Sequence, residues 1–392
     1  MVAHPSRTRL PRWIWLTGLL IGLGLPSAGC SVEVGPKPQG VEDTYVPEPE
    51  GVEVTTWVEG LEIPWALAFL PGGDALVTER PGRIRLIRDG ALREAPYAEL
   101  DVLHTGEAGL MGIALHPDFP EPPFVYVMHT YRGGDGLANR VVRLRHQGDH
   151  AEFDRVILDG IPGGRFHDGG RIAFGPDGLL YIAAGETFTR ELAQRRDSLG
   201  GKILRVTPDG EVPADNPFPG SPVYSLGHRN PQGLAWDPAT GALFASEHGP
   251  SGEVGFGAFD EVNVIRKGAN YGWPEVVGAP GQTPYADPLI AWPEVTTPPA
   301  GLAFHRGDLY LGTLGSEALI RIGLERTGDG YRVAAIERWF KAEGGASPFG
   351  RLRAVVKGPD GALYVTTSNR DGRGRVRRGD DRILRIEVPP ES

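Results

Sequence analysis

The stretch His167-Asp168-Gly169-Gly170-Arg171-Ile172-Ala173-Phe174-Gly175-Pro176-Asp177-Gly178-Leu179-Leu180-Tyr181 carries two kinds of information. Its second half, an apolar run, a Pro-Asp-Gly turn and a second apolar run, recurs along the chain. Its first half, His-Asp-Gly-Gly, occurs once. A recurring half reads as architecture, and a half that occurs once reads as chemistry placed on that architecture.

Six copies of the recurring half begin near Trp65, Met111, Arg171, Gly233, Gly301 and Ala354. Each is a short apolar strand, a turn rich in Pro, Asp and Gly, and a second short strand, the signature of a β-hairpin. A further run with alternating charge follows each hairpin, at 83–87, 140–145, 202–206, 261–265, 319–322 and 382–386. Such alternation fits outer strands with one wet face. Six units spaced by roughly 50–65 residues predict an all-β fold, a six-bladed β-propeller of four-stranded antiparallel blades over residues 53–388. No amphipathic helix of 12 or more residues is predicted in this part. The 57 Gly and 36 Pro fall at the periodic turns, and a hydrophobic content of 40% is enough for a core.

The N-terminus carries Arg7, Arg9 and Arg12, an apolar run over 13–25, and then Ser27-Ala28-Gly29-Cys30. This order predicts a signal peptide over 1–30 with a lipobox-like cleavage site, and export from the cytoplasm. Cys30 is the only cysteine, so no intramolecular disulfide can form, and its place suggests a lipid anchor as the single membrane attachment. Residues 31–52, rich in Pro, Glu and Gly, read as a disordered tether. A formal charge of −10 argues against a nucleic-acid partner. A monomer is expected.

Propeller topology locates the chemistry. The Pro-Asp-Gly turn closes one end of each inner hairpin, so residues just before the first strand and just after the second share the opposite end. Six such ends converge on one rim of the central channel. Glu107, His167, His228, Arg229, Asn230, Arg351 and Arg353 stand before first strands. Glu79, His129, Glu186 and Glu247-His248-Gly249-Pro250 stand after second strands. Arg351 and Arg353 alternate on one strand and so point to one side. Several guanidiniums suit a planar ligand with several carboxylates, and a His near a carboxylate suits proton abstraction. Free backbone carbonyls around Gly249 and Pro250, with Asp260 and Glu261 further along, suit Ca2+, whereas no Cys/His spacing suits zinc. Trp292, Tyr131 and Phe349 offer surfaces for stacking or for filling blade interfaces.

The chain resembles the quinoprotein soluble sugar dehydrogenases, the glucose/sorbosone dehydrogenase family, in particular its aldose sugar dehydrogenase branch. The resemblance rests on residues 109–119, His167-x-x-Gly170-Arg171, 227–234, 246–250, 260–263, 270–274 and Arg351-Leu352-Arg353. It implies a six-bladed propeller that uses pyrroloquinoline quinone (PQQ) and Ca2+ to oxidise the anomeric carbon of aldoses to lactones and passes electrons to an external acceptor. His167 would be the general base, tuned by Glu186, where the family has Asp. Arg229, Asn230, Arg351 and Arg353 would hold the quinone, with Glu107 where relatives place Gln. Carbonyls of Gly249 and Pro250 would bind a catalytic Ca2+, and Glu261 with the carbonyl of Tyr271 a second, structural one. Relatives place a cofactor-binding Lys in the loop after the fifth hairpin; here Gly315 stands there, which weakens quinone binding unless another cation substitutes. Two other classes compete: a propeller that binds a carbohydrate or protein without catalysis, and a calcium-dependent lactonase, whose axial carboxylate ligands fit this Arg-rich rim less well.

Overall fold

The computed structural model describes Met1 and residues 32–134, 136–328 and 330–389. The signal sequence and lipidation site expected over 1–30 lie outside the described residues. The chain from residue 53 onward forms a six-bladed β-propeller, as the hairpin repeat predicts. Among the described residues helix is confined to one 3-10 turn, Arg190–Ala193.

Blade 1 contains Pro64–Phe69, Ala75–Glu79 and Arg83–Arg88, with the short strands Ala91–Leu92 and Ala98–Glu99 outside. Blade 2 contains Leu110–Leu115, Phe124–Gly133, Gly136–His146 and Ala151–Pro162. Blade 3 contains Ile172–Phe174, Leu180–Ala184, Lys202–Val206 and Val223–Leu226. Blade 4 contains Pro231–Trp236, Leu243–Glu247, Asp260–Ile265 and Ile290–Trp292. Blade 5 contains Pro299–His305, Asp308–Thr313, Leu319–Thr327 and Gly330–Trp339. Blade 6 takes three strands from the C-terminal end, Leu352–Lys357, Leu363–Thr367 and Ile383–Glu387. Its fourth, Glu53–Val58, comes from the N-terminal end and pairs antiparallel with Ile383–Glu387.

Residues 32–52, the described part of the expected tether, carry two short paired strands. Glu33–Val34 pairs in parallel with Val276–Val277, and Asp43–Val46 adds a parallel fifth strand to blade 5. Asp43 fixes this strap by accepting from Trp292 Nε1 at 3.1 Å and from Arg338 Nε. The polar, Pro-rich composition hid the strap because its few apolar residues, Val32, Val41, Val46 and Val52, show no strand period, and backbone pairing holds much of it.

Apolar cores lie between neighbouring blades. One runs through blades 1 to 3, a second joins blades 3 and 4, a third blades 4 and 5, a fourth blades 5 and 6, and a fifth blades 6 and 1. First strands crowd the axis, and small residues make that possible. A Cβ on Gly112 would meet Gly170 O at 2.4 Å, and one on Gly233 would meet Ala300 O at 2.6 Å. Blade-to-blade hydrogen bonds use this closeness: Gly112 N donates to Gly170 O at 3.0 Å, and Thr78 Oγ1 to Met111 O at 2.6 Å. Gly112→Ala is therefore expected to cost about 1–3 kcal/mol, the usual range for overpacking. Gly134→Ala, where a Cβ meets nothing within 4 Å, should leave stability unchanged. Urea unfolding of both variants measures the difference.

Candidate functional site

The loop entering blade 3 and the loop leaving its second strand meet at the rim. His167 Nδ1 lies 2.5 Å from Glu186 Oε1, and both residues are buried. The imidazole makes no hydrogen bond through Nε2 among the described residues. Its ring stacks on Phe188, with centroids 4.0 Å apart and planes 25° from parallel. His167, Thr187 and Phe188 all hold positive φ, at 59°, 52° and 61°. Left-handed backbone is costly for such residues and clusters at functional sites. Here it turns the imidazole and the phenyl ring toward each other.

A cavity of about 340 Å³ opens beside them, lined by Glu107, Phe166, His167, Phe188, Arg229, His248, Ser251, Leu314, Gly315, Arg351 and Arg373 among others. A larger hollow of about 610 Å³ lies at the turn end of blades 4 and 5, around Thr240, Asp287, Arg326 and Tyr331, and brings in no imidazole.

Each guanidinium at the rim has a distinct anchor. Arg229 Nε donates to Glu253 Oε1 at 2.5 Å, and its Nη1 to His248 O at 3.2 Å. Arg351 Nε and Nη2 both lie 2.9 Å from Asp371 Oδ2. Arg353 is buried without a carboxylate partner, donating to Ser368 Oγ at 3.3 Å and Gln232 Oε1 at 3.1 Å. Burial, then the neighbouring Arg80, lowers its pKa to about 9. Asn230 Oδ1 accepts from Gly169 N at 3.0 Å, while its Nδ2 is buried with no partner. Glu107 Oε2 accepts from His167 N at 3.2 Å, and its Oε1 from Arg373 Nη1 at 2.8 Å. Burial opposes ionisation of Glu107, but His248, Arg373 and His167 more than offset it and lower its pKa to about 2. Burial also lowers the pKa of His248, to about 3.

Gly249, Pro250, Glu261 and Tyr271 line one small cavity of about 20 Å³, together with Glu247. Glu247 and Glu261 are cross-strand partners. Burial, then the Glu247 charge, raises the Glu261 pKa well above the ordinary carboxylate value. Among the described residues no group of three or more His, Cys, Asp or Glu is gathered as a metal cluster.

Several residues take other roles than their rim position suggests. Glu79 pairs with Arg83 and Arg85, and His129 is buried against Arg140 and the Thr130 carbonyl. Trp292 is tied to Asp43, Phe349 packs on Phe340, and Tyr131 bonds Asp159, so none of the three lines the cavity. Its aromatic wall is instead Phe166 and Phe188. Gly315 does line the cavity. Lys341 Nζ reaches Ser316 O at 2.5 Å from a distant point in sequence, tying that loop without entering the cavity. Arg80 and Arg373 were missed by position alone. Arg80 directly succeeds Glu79, and Arg373 lies in a segment with five arginines over 370–378, a compositional signal.

These features define a propeller whose channel rim sets an imidazole–carboxylate pair beside a cluster of guanidiniums. Residues 61–383 match the Glucose / Sorbosone dehydrogenase family, and the chain belongs to that family. It is similar to the aldose sugar dehydrogenase YliI of Escherichia coli K12, 33% identical over 357 residues that cover 83% of this chain and 92% of the relative. Among solved structures it is similar to the PQQ-bound form of aldose sugar dehydrogenase from Streptomyces coelicolor, with 43% identity, a TM-score of 0.76, and coverage of 86% and 99%. It is also similar to a Thermus thermophilus protein described as an oxidoreductase (glucose dehydrogenase), with 58% identity, a TM-score of 0.81, and coverage of 86% and 100%.

Asp168, next to His167, offers a pH test of this region. Its Oδ1 accepts from Asn139 Nδ2 and Gly164 N, both at 2.9 Å, and its Oδ2 is buried without a partner. Burial raises its pKa to about 7. The folded state thus holds a proton that the unfolded chain releases above about pH 4, so this group destabilises the fold progressively as pH rises from about 4 to about 7. Wild-type stability relative to Asp168→Asn should fall on the order of 2 kcal/mol between pH 5 and pH 8. Urea unfolding at both pH values checks it, and a difference that does not change with pH is the contrary result.

Proposed function

We propose that this protein is an exported quinoprotein dehydrogenase that oxidises the anomeric C1 hydroxyl of aldose sugars to lactones, with PQQ and Ca2+ as cofactors and an external electron acceptor. The observation that carries this reading is His167: Nδ1 is engaged by a buried carboxylate, and the ring borders a guanidinium-lined cavity.

The residues present fit the cofactor. Asn230 Nδ2, His248 Nε2 and Glu186 Oε2 are buried around the site without partners, and buried polar groups ordinarily have one. Burial lowers the proton affinity of Arg80 and, together with the Arg80 charge, that of Arg353, so an anionic ligand would stabilise both guanidiniums. Arg229, Asn230, Arg351 and Arg353 would hold its oxygens, with Glu107 at the edge. For the structural Ca2+, the cavity of about 20 Å³ is the size of a single small occupant, and it gathers the two acidic residues Glu247 and Glu261. Carbonyls of Gly249 and Pro250 would contact a catalytic ion, and Glu261 with the Tyr271 carbonyl a structural one.

In the reaction, His167 Nε2 takes the C1 hydroxyl proton. Glu186 holds Nδ1–H, which fixes the tautomer and stabilises the imidazolium that forms. Phe188 covers one face of the ring and excludes water from it. PQQ, when bound, supplies the acceptor for the C1 hydride, and Ca2+ supplies Lewis acidity for its carbonyl. Loss of hydride and proton from the cyclic hemiacetal leaves the lactone, so atoms and electrons balance.

Export rests on Arg7, Arg9 and Arg12, the apolar run 13–25 and the small residues before Cys30, with lipid anchoring at that cysteine. No helix among the described residues is long and apolar enough to cross a membrane.

A second reading, a propeller that binds a carbohydrate or protein without catalysis, is favoured by one observation. Arg229, Arg351 and Arg373 each already have a carboxylate partner, which weakens their pull on another anion. Reconstitution separates the two. Purified protein with PQQ and Ca2+ should reduce a redox dye when given aldoses. His167→Ala should lower kcat by about 100- to 10,000-fold, the span of general-base contributions, with PQQ affinity retained. Absence of any spectral change on PQQ titration of the wild type would favour the second reading.

A further inference from the structure

One loop stands apart in charge. Residues 370–378 hold five arginines and one aspartate, in a chain of formal charge −10. Asp371 pins this loop. Its Oδ2 accepts from Arg351 Nε at 2.9 Å, and its Oδ1 from the N–H groups of Arg373 at 2.9 Å and Gly374 at 3.2 Å. Gly374 fits where a Cβ would come within 2.7 Å of Asn369 Cα and 2.8 Å of the Arg351 side chain. Between these anchors Arg373 reaches the cavity that also holds His167, Arg229 and His248.

The Arg373 guanidinium carbon lies 5.2 Å from the centre of the Phe166 ring. Its Nη1 donates to Glu107 Oε1 at 2.8 Å, and its side chain remains 51% exposed. Nε and Nη2 make no hydrogen bond among the described residues. Arg229 and Arg351, by contrast, are buried and each donates from at least two nitrogens. Arg373 is therefore the arginine of this cavity with donors to spare and room to move.

We infer that Arg373 is a cofactor-binding residue. Its unused N–H groups form a fork suited to a carboxylate of a planar polyanion, and Phe166 lies against the guanidinium. Glu107 parks the side chain beside the cavity until the ligand arrives. Because Glu107 also accepts the His167 backbone N–H, the same carboxylate links the parked arginine to the segment bearing the base. Removing Arg373 would do double harm, since it takes away a donor fork and leaves an unpaired carboxylate facing an anion. This inference rests on the quinone reading above and adds a residue to it.

The test is equilibrium titration of the full chain with PQQ in the presence of Ca2+, monitored by absorbance and intrinsic fluorescence, so that activity is not the readout. Arg373→Ala should weaken binding about tenfold or more, the scale of one charge-assisted hydrogen bond or a pair of them. Arg373→Lys should recover part of the loss. Glu107→Gln should bind at least as tightly as wild type, and Arg373→Ala with Glu107→Gln should bind more tightly than Arg373→Ala alone. Arg375→Ala, an exposed position on the same loop, should stay within about twofold of wild type, since it lies outside the cavity lining. Thermal unfolding without ligand verifies that each variant is folded. Wild type that fails to bind PQQ overturns the quinone reading and this inference together. Wild type that binds while Arg373→Ala binds equally well overturns this inference alone.

Discussion

Everything at the rim depends on closing the ring. The site draws on residues from 107 to 373, and they meet only if blade 6 docks on blade 1. Closure joins Glu53–Val58 to Ile383–Glu387, strands more than 300 positions apart. The chain entropy of such a loop is on the order of 5 kcal/mol. Offsetting it are the strand ladder itself and the apolar cluster that Val58, Leu61, Leu67 and Val77 share with Tyr364 and Ile383. The close approach of first strands at the axis is the other half of the constraint. A side chain at Gly112 or Gly233 would push against the backbone of the next blade, so the axial spacing of first strands depends on these glycines.

Two successive blades show how chemistry is added to this frame. In blade 3 His167 and Glu186 are 19 residues apart; in blade 4 His228 and Glu247 are also 19 apart. The blade 4 pair is saturated. His228 bonds Glu247 through Nδ1 and Ser225 through Nε2, both at 2.8 Å, and Glu247 also accepts the Arg229 N–H. That pair locks the strand that delivers Arg229 and Asn230. In the blade 3 pair Nε2 of His167 makes no hydrogen bond among the described residues, and Oε2 of Glu186 is buried without a partner. The same two side chains form a saturated clasp in one blade and leave a ring nitrogen and a carboxylate oxygen without hydrogen bonds in the next. What separates them is whether the second nitrogen is satisfied.

The hairpins were legible because their turn chemistry repeats, and so the blades and the rim could be placed from residue order. His167, Glu186, Arg229 and Arg351 were found by that route, since propeller topology converts position in a hairpin into position around a channel. The strap was not legible: Glu33–Val34 and Asp43–Val46 dock through backbone pairing with no periodic apolar signal. Nor were the aromatic contacts. Phe188 reaches His167 through a left-handed Thr187-Phe188 pair, a conformation that neither residue type announces. For Trp292 the sequence leaves stacking surface and blade-interface filler both open, and its bond to Asp43 of the strap places it with the second. Arg373 went unread although five arginines fall within 370–378, and only the Asp371 turn directs it to the cavity.

The arginines of this region divide by whether a carboxylate lies within ion-pair distance. Arg229, Arg351 and Arg373 are each matched by Glu253, Asp371 and Glu107, so to a first approximation these pairs contribute no net charge. Arg80 and Arg353 are different. Arg80 donates to His104 at 3.3 Å, Arg353 to Gln232 and Ser368, and neither has a carboxylate within ion-pair distance among the described residues. Two buried guanidiniums hydrogen-bonded only to neutral groups are costly, and the charges of Asp371 and Glu107 nearby offset part of the burial that lowers their pKa values. A fold retains such an arrangement most readily when something anionic completes it. On the function proposed above, Arg229 and Arg351 supply geometry, because Glu253 and Asp371 hold them in place, and the two without ion pairs supply attraction. That division lets an acidic protein keep a pocket for an anion without spreading positive charge over its whole surface.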